Sequence, residues 1–361
     1  MLIYLHIPFC HRICPYCSFY KHTPGATPIP RFIDALLTEA RQRMAPPSPV
    51  PRTLYLGGGT PSMLSPGHLR RLFDGLAAIT NLEALDEITL EANPATFDLA
   101  KARLFRELGV RRVSLGIQSF HGPTLGSLGR EHTPEQAAES VRLLREAGMP
   151  SVNIDLMFSV PGLALDDWRR TLEQTLRLEP DHVSAYNLTY EEDTDFFEML
   201  AKGELDADED RDADQFLLAR EMLTAAGFEH YETSNYARPG QRSSHNHGYW
   251  NGEDYLGLGP SAVSTVSGIR TRNVPDTERY VKMIETVGNA ATESEALTPA
   301  QLRIERIALL LRTSEGVPAE LLEETDPSRV VDSGLASLKN GRLVLTPEGL
   351  PLVDAIAAEI I

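Results

Sequence analysis

Three cysteines, Cys10, Cys14 and Cys17, fall within eight residues in the pattern C-x3-C-x2-C, and the chain has no others. An odd, clustered set makes a poor disulfide framework, so the residue types point to metal ligation. Two metal chemistries fit thiolates. A cubane iron–sulfur cluster takes one thiolate per iron, and three thiolates leave one iron with an open position. A structural zinc wants four ligands, and His6 or His11 could complete that set, but no second Cys/His pair follows at finger spacing.

Further residues with chemical capacity recur at regular intervals. Gly57-Gly58-Gly59-Thr60-Pro61 is a glycine run whose backbone can approach a ligand closely. Glu91 lies in Glu91-Ala92-Asn93-Pro94, where a carboxylate could serve a site or simply a helix N-terminus. Gln118 closes Ser114-Leu115-Gly116-Ile117-Gln118, and Arg130 follows twelve residues later as a site cation or a surface charge. Asp155 sits inside the apolar stretch Asn153-Ile154-Asp155-Leu156-Met157, a costly place for an unpaired charge. Tyr4 precedes the cysteines and Tyr16 lies between Cys14 and Cys17; both could equally pack as core aromatics. Far downstream, Ser244-His245-Asn246-His247-Gly248-Tyr249-Trp250 gathers two imidazoles and two aromatics.

The elements around these residues predict an α/β fold. Strands are expected at 2–6, 53–56, 87–91, 112–116, 152–156 and 182–186. Helices are expected at 31–44, 66–78, 95–108, 133–147 and 165–178. Thr133-Pro134 is a good helix start and Gly148 a good stop. Six β/α alternations imply a parallel sheet covered by helices, with polar strand ends at one edge. After Tyr186 the pattern changes. The run 206–212 is acidic and expected to be solvated. A helix is expected at 212–226, and short strands and loops at 227–267. From Thr298 a smaller unit is expected, with helices at 299–312, 318–324, 327–339 and 347–361 and a strand at 342–345, an arrangement like a winged helix. The boundaries drawn are 1–190, 191–297 and 298–361.

The formal charge of -17 argues against a nucleic-acid partner, which needs a concentrated positive surface. No apolar run reaches bilayer-spanning length, and the first residues carry no basic targeting region, so a cytoplasmic protein is expected.

The stretch Tyr4-Leu5-His6-Ile7-Pro8-Phe9-Cys10, followed by C-x3-C-x2-C, resembles the radical SAM superfamily. More narrowly, residues 2 to about 260 resemble the branch holding oxygen-independent coproporphyrinogen III oxidase and the heme chaperone HemW family. The resemblance implies a partial (β/α)6 barrel with a small C-terminal winged-helix-like domain. It implies a [4Fe-4S] cluster on Cys10, Cys14 and Cys17. It implies S-adenosylmethionine (SAM) held by Tyr4, Tyr16, Gly58, Gly59, Thr60, Glu91, Gln118, Arg130 and Asp155. The oxidase pattern continues with a fourth cysteine where this chain has Phe19, and the oxidase carries an N-terminal extension. Both departures favour the chaperone branch. The segment 244–250 resembles that branch's His-Asn-x-x-Tyr-Trp motif, which implies heme with His245 as its ligand and His247 close by. The implied partners are heme and apo-hemoproteins such as cytochromes or respiratory enzymes, and peripheral membrane association is compatible with that role. No side chain is singled out as catalytic.

Overall fold

The computed structural model describes residues 1–205, 207–323 and 325–361. Asp206, which heads the acidic run, and Glu324, the last residue of one expected helix, lie outside the described residues. Six strands pair in parallel in sequence order: β1 (Leu2–Ile7), β2 (Thr53–Gly58), β3 (Glu87–Ala92), β4 (Arg112–Gln118), β5 (Ser151–Phe158) and β6 (His182–Asn187). Between them lie α1 (Ile29–Arg43), α2 (Pro66–Ala77), α3 (Leu99–Glu107), α4 (Gly122–Ser127), α5 (Pro134–Glu146) and α6 (Leu165–Arg177). Helix α5 starts where expected: Thr133 and Gln136 form a reciprocal capping box, with Pro134 in the first turn. Helix α3 starts at Leu99 rather than Ala95. Ala95 is in the left-handed region, and the Asp98 side chain accepts from Lys101 N to cap the later start.

The strands have two faces of opposite character. One carries Leu54, Leu56, Ile88, Leu90, Val113, Leu115, Val152, Ile154 and Val183, all buried with α1 to α3, α5 and α6 in the main core. The other carries Tyr4, Tyr55, Glu91, Ser114, Asn153, Asp155 and Tyr186. This alternation of period two is what a curled sheet with a polar interior requires. The curl stays open: β1 does not pair with β6. Instead β9 (Tyr255–Leu258) adds in parallel to β1, followed by antiparallel β10 (Val263–Val266), β11 (Ile269–Asn273) and β12 (Ala291–Ala296). On the far side β8 (Asn235–Ala237) and β7 (Glu229–Glu232) add antiparallel to β6. The fold is thus a partial (β/α)6 barrel within a twelve-stranded mixed sheet.

Helices α7 (Asp195–Ala201), α8 (Glu209–Ala225), α9 (Ser244–Trp250) and α10 (Thr277–Val287) complete this region. The described part of the acidic run opens α8, where Asp208 caps Arg211 N and Glu209, Asp210 and Asp212 face the positive end of the helix dipole. No helix of the described residues is long and apolar enough to cross a membrane.

The C-terminal residues form α11 (Pro299–Leu311), β13 (Val317–Pro318), α12 (Ser328–Asp332), β14 (Ala336–Lys339), β15 (Arg342–Leu345) and α13 (Val353–Ile360), with a core of their own around Leu310, Leu343 and Ile356. Two expectations fail here. The stretch 327–339 is not one helix: Gly334, at positive φ, ends α12, and the chain then enters the β14–β15 hairpin, which turns at Asn340-Gly341. The stretch at 318 begins in β13, paired with β15, before a short 3-10 turn at Ala319–Leu322.

Candidate functional site

The loop after β1 carries the cysteines. It is tied back on itself: Cys10 N donates to His22 O at 3.0 Å, His22 N to Pro8 O at 2.9 Å, and Cys17 N to Cys14 O at 3.2 Å. The Lys21 ammonium donates to Cys17 O. The glycine run buttresses the loop, with Gly59 N donating to Ile7 O and Thr60 N to Phe9 O, both at 2.8 Å. A Cβ on Gly59 would stand 2.7 Å from Phe9 O, so only glycine permits this approach. Gly58 N is used as well, donating to Glu91 Oε2 at 3.1 Å. The amides of 58–60 are therefore spent within the protein, which leaves carbonyls as the backbone groups able to receive a ligand's donor.

A cavity of about 630 Å³ opens at the C-terminal ends of the parallel strands. Cys10, Cys14, Cys17, Tyr16, Gly58, Gly59, Thr60, Glu91, Gln118, Arg130 and Asp155 all line it. Arg130 is held by two short bonds, from Nη2 to Asn93 Oδ1 and to Gly116 O, both 2.6 Å, and its Nη1 lies 3.7 Å from Cys14 Sγ. Thr60 Oγ1 lies 3.6 Å from Cys10 Sγ and accepts from Asn93 Nδ2 at 3.0 Å. Gln118 ends β4 in the left-handed region at φ 69°, next to a register shift, which is the kind of strain that persists where a side chain must be aimed.

Two carboxylates face this space. Glu91 Oε1 accepts from Tyr55 OH at 2.8 Å, and burial pushes its pKa up to about 7. Asp155 accepts from Ser114 Oγ at 2.9 Å and Asn153 Nδ2 at 2.7 Å, and burial raises its pKa too. Burial also raises the Cys10 and Cys17 thiols. A largely buried guanidinium and two carboxylates whose pKa values burial raises suit a zwitterionic small molecule.

The cysteines form no disulfide, and each is half-buried beside the cavity. Among the described residues no three His, Cys, Asp or Glu side chains converge tightly enough for a single metal ion. A cubane spreads its thiolates over separate irons, so this donor set, three soft thiolates beside a guanidinium and an ammonium, fits an anionic iron–sulfur cluster better than one zinc.

Two expected site residues lie elsewhere. Tyr4 sits deeper in the barrel, with its OH 3.1 Å from His6 Nδ1 and its ring 6.2 Å from that of Tyr55. His245 lies in α9 under the opposite, N-terminal ends of the strands and is 1% exposed. Its Nδ1 is 2.7 Å from Thr53 Oγ1, the first residue of β2, and its ring stacks on Tyr55. As folded, His245 has no room for a porphyrin and does not fit the role of heme ligand. His247 is more open and pairs with Glu315 at 3.0 Å. Asn93, which joins Arg130 to Thr60, and the inward phenols Tyr55 and Tyr186 were not anticipated; the period-two alternation of the strands is the signal that could have found them.

Known proteins resemble the whole of this arrangement. The radical SAM superfamily sequence model matches residues 4–175. The heme chaperone HemW of Lactococcus lactis is 36% identical over 321 residues, covering 89% of this chain and 83% of that protein. The heme chaperone HemW of Mycobacterium tuberculosis is 35% identical over 367 residues, covering 99% and 94%. The structure of coproporphyrinogen III oxidase (HemN) from Escherichia coli, a radical SAM enzyme, superposes with a TM-score of 0.84 over 99% of this chain and 89% of that one, at 24% identity.

Proposed function

Because the chain belongs to the radical SAM superfamily and, within it, to the heme chaperone HemW family, we propose that it binds a [4Fe-4S] cluster, SAM and heme, and hands the heme to apo-hemoproteins. The observation that carries this reading is the three-cysteine loop closing over one polar cavity at the strand ends. Cys10, Cys14 and Cys17 would hold the cluster. When bound, the cluster and SAM supply one-electron reductive chemistry that no side chain can.

The chain's own residues have narrower tasks. Arg130, already oriented by Asn93 and Gly116, offers a guanidinium to a carboxylate. The carbonyls of 58–60 and the Glu91 carboxylate receive an ammonium. Tyr16, Gln118 and Asp155 bound the remaining wall. In this reading residues 1–190 form the cofactor-binding barrel, 191–297 its extension and 298–361 a separate winged-helix-like unit. Recipients are cytochromes or respiratory enzymes, reached from the cytoplasm, with peripheral membrane contact during transfer.

Phe19, 68% exposed at the cavity mouth, stands where the oxidase has its fourth cysteine. This supports the chaperone over a coproporphyrinogen III decarboxylase. Anaerobic reconstitution followed by heme titration, with and without SAM, tests the proposal. A Soret band that grows to saturation is expected, and none would count against it. With SAM, reductant and coproporphyrinogen III, no protoporphyrinogen should form. The SAM site has its own test. Arg130→Ala removes a buried cation whose partners stay behind, and the SAM dissociation constant should rise about 100-fold. Arg130→Lys, lacking the fork, should fall between.

A further inference from the structure

The segment 244–250 forms the floor of the barrel. Ser243 Oγ and Ser244 N donate to the two oxygens of Glu87, the first residue of β3, at 3.1 and 2.7 Å. A Cβ on Gly248 would stand 2.7 Å from the Leu2 side chain, so α9 rests directly on β1. Within this floor the His245 ring is enclosed. Tyr55 covers one face, with centroids 5.0 Å apart and planes 28° apart, and Tyr249 meets it edge-on at 4.9 Å. The Nδ1 is engaged by Thr53, and Nε2 is buried without a hydrogen-bond partner among the described residues.

Tyr55 connects this floor to the cavity. Its ring rests on His245 and its hydroxyl donates to Glu91 Oε1; Glu91 Oε2 in turn receives Gly58 N from the glycine run. His245, Tyr55, Glu91 and Gly58 thus form one column running from the closed end of the barrel to the open end. The geometry points to His245 as a positioning residue for the SAM end of the barrel, acting through Tyr55 and Glu91, and not as an iron ligand that the folded chain presents. An iron ligand needs a free nitrogen with open space before it, whereas this imidazole is held by stacking and by Thr53. A positioning role needs what is observed: a rigid contact that fixes Tyr55, so that its hydroxyl meets the carboxylate at hydrogen-bonding distance. Burial, which depresses the His245 pKa to about 3, keeps the ring neutral and compatible with a packed floor.

The inference rests on the SAM-binding part of the proposed function and is separable from the heme part. The test compares His245→Ala with His245→Phe in reconstituted protein, reading the SAM dissociation constant by equilibrium binding and heme by the Soret band. His245→Ala should weaken SAM by about tenfold. His245→Phe, which restores a ring against Tyr55, should return it to within about threefold of wild type. Both variants should keep the Soret response of the wild type. The Ala substitution made in a Tyr55→Leu background should cost little more, because the column is already broken. A general loss of packing would add in that background and would count against the inference. Unchanged SAM affinity in His245→Ala overturns it, as does loss of the Soret band in His245→Phe with SAM affinity retained. If wild type itself binds no heme, the chaperone reading fails, while the SAM comparison still decides the role of His245.

Discussion

Cys14→Ala is expected to fold with nearly wild-type thermal stability and to hold no iron after reconstitution. Cys14 is half-buried in a loop, and its sulfur meets Arg130 at 3.7 Å rather than a packed apolar wall, so little cavity is created. The effect on metal is of another order. A cubane carried on three thiolates already has one iron without a protein ligand, and loss of a second anchor leaves half the irons open. Iron and acid-labile sulfide per chain, set beside the melting temperature, check this. Cluster at more than half of the wild-type level would show that a neighbour such as His11 replaces Cys14. Cys10→Ala and Cys17→Ala should behave alike, since each thiol borders the same cavity.

Acidification should unfold the cluster-free protein well above the pH at which surface carboxylates protonate. Four buried histidines and the largely buried His230 are neutral near pH 7. Burial lowers His6, His132 and His230 to about 4, His245 to about 3, and His182 well below the usual range. Such groups cost nothing while both folded and unfolded chains are neutral, above pH 6.5. As pH falls below 6.5 the unfolded chain takes up protons that the folded chain refuses, and stability falls until the folded pKa values are reached. Glu91 and Glu232 oppose this, since burial raises both to about 7 and the folded chain binds their protons first; Asp155 is raised in the same sense. The unfolded chain therefore has a surplus of about one proton at pH 6.5, which grows to about two or three between pH 6 and 4.5 and is worth about 3–4 kcal/mol per pH unit there. By pH 5 the loss reaches about 5 kcal/mol, a large part of a domain's usual stability. The melting temperature measured from pH 8 to pH 4 should fall steeply below 6.5. A flat profile between pH 7 and pH 5 would contradict the assignment of neutral buried imidazoles.

The β/α order was legible because the helix-facing positions, Leu54 and Leu56, Val113 and Leu115, Val152 and Ile154, are apolar at strand spacing and are bounded by well-capped helices. The inward positions were harder to read. Tyr55, Ser114, Asn153 and Tyr186 look like ordinary polar strand residues, and only the curl of the sheet makes them neighbours. Asn93 is hidden for the same reason: its contacts to Thr60 and Arg130 come from separate strand ends. In the C-terminal unit Val330, Val331, Leu335 and Leu338 keep helical spacing, so the sequence reads α12 and β14 as one helix, while β15 falls where a strand is expected; Gly334 and Gly341 mark the true breaks. The spacing within 244–250 says which residues cluster but not under which end of a barrel they lie. Pairing of β9 with β1 decides that, a contact spanning more than two hundred residues of chain.

That same pairing sets an order of events during translation. Strand β1 has one neighbour in Thr53–Gly58 and the other in Tyr255–Leu258, and α9, which rests on Leu2, lies just before the second. At roughly 5–20 residues per second, the ribosome needs about 10–50 seconds between making the first strand and making its second partner. Throughout that interval one edge of β1 offers unpaired amides and carbonyls, and nothing seals the underside of the half-built sheet. The seam is therefore open to misassociation until residue 258 has emerged, and a chaperone that delays release of the amino-terminal half until then would protect the step at which the barrel acquires its base.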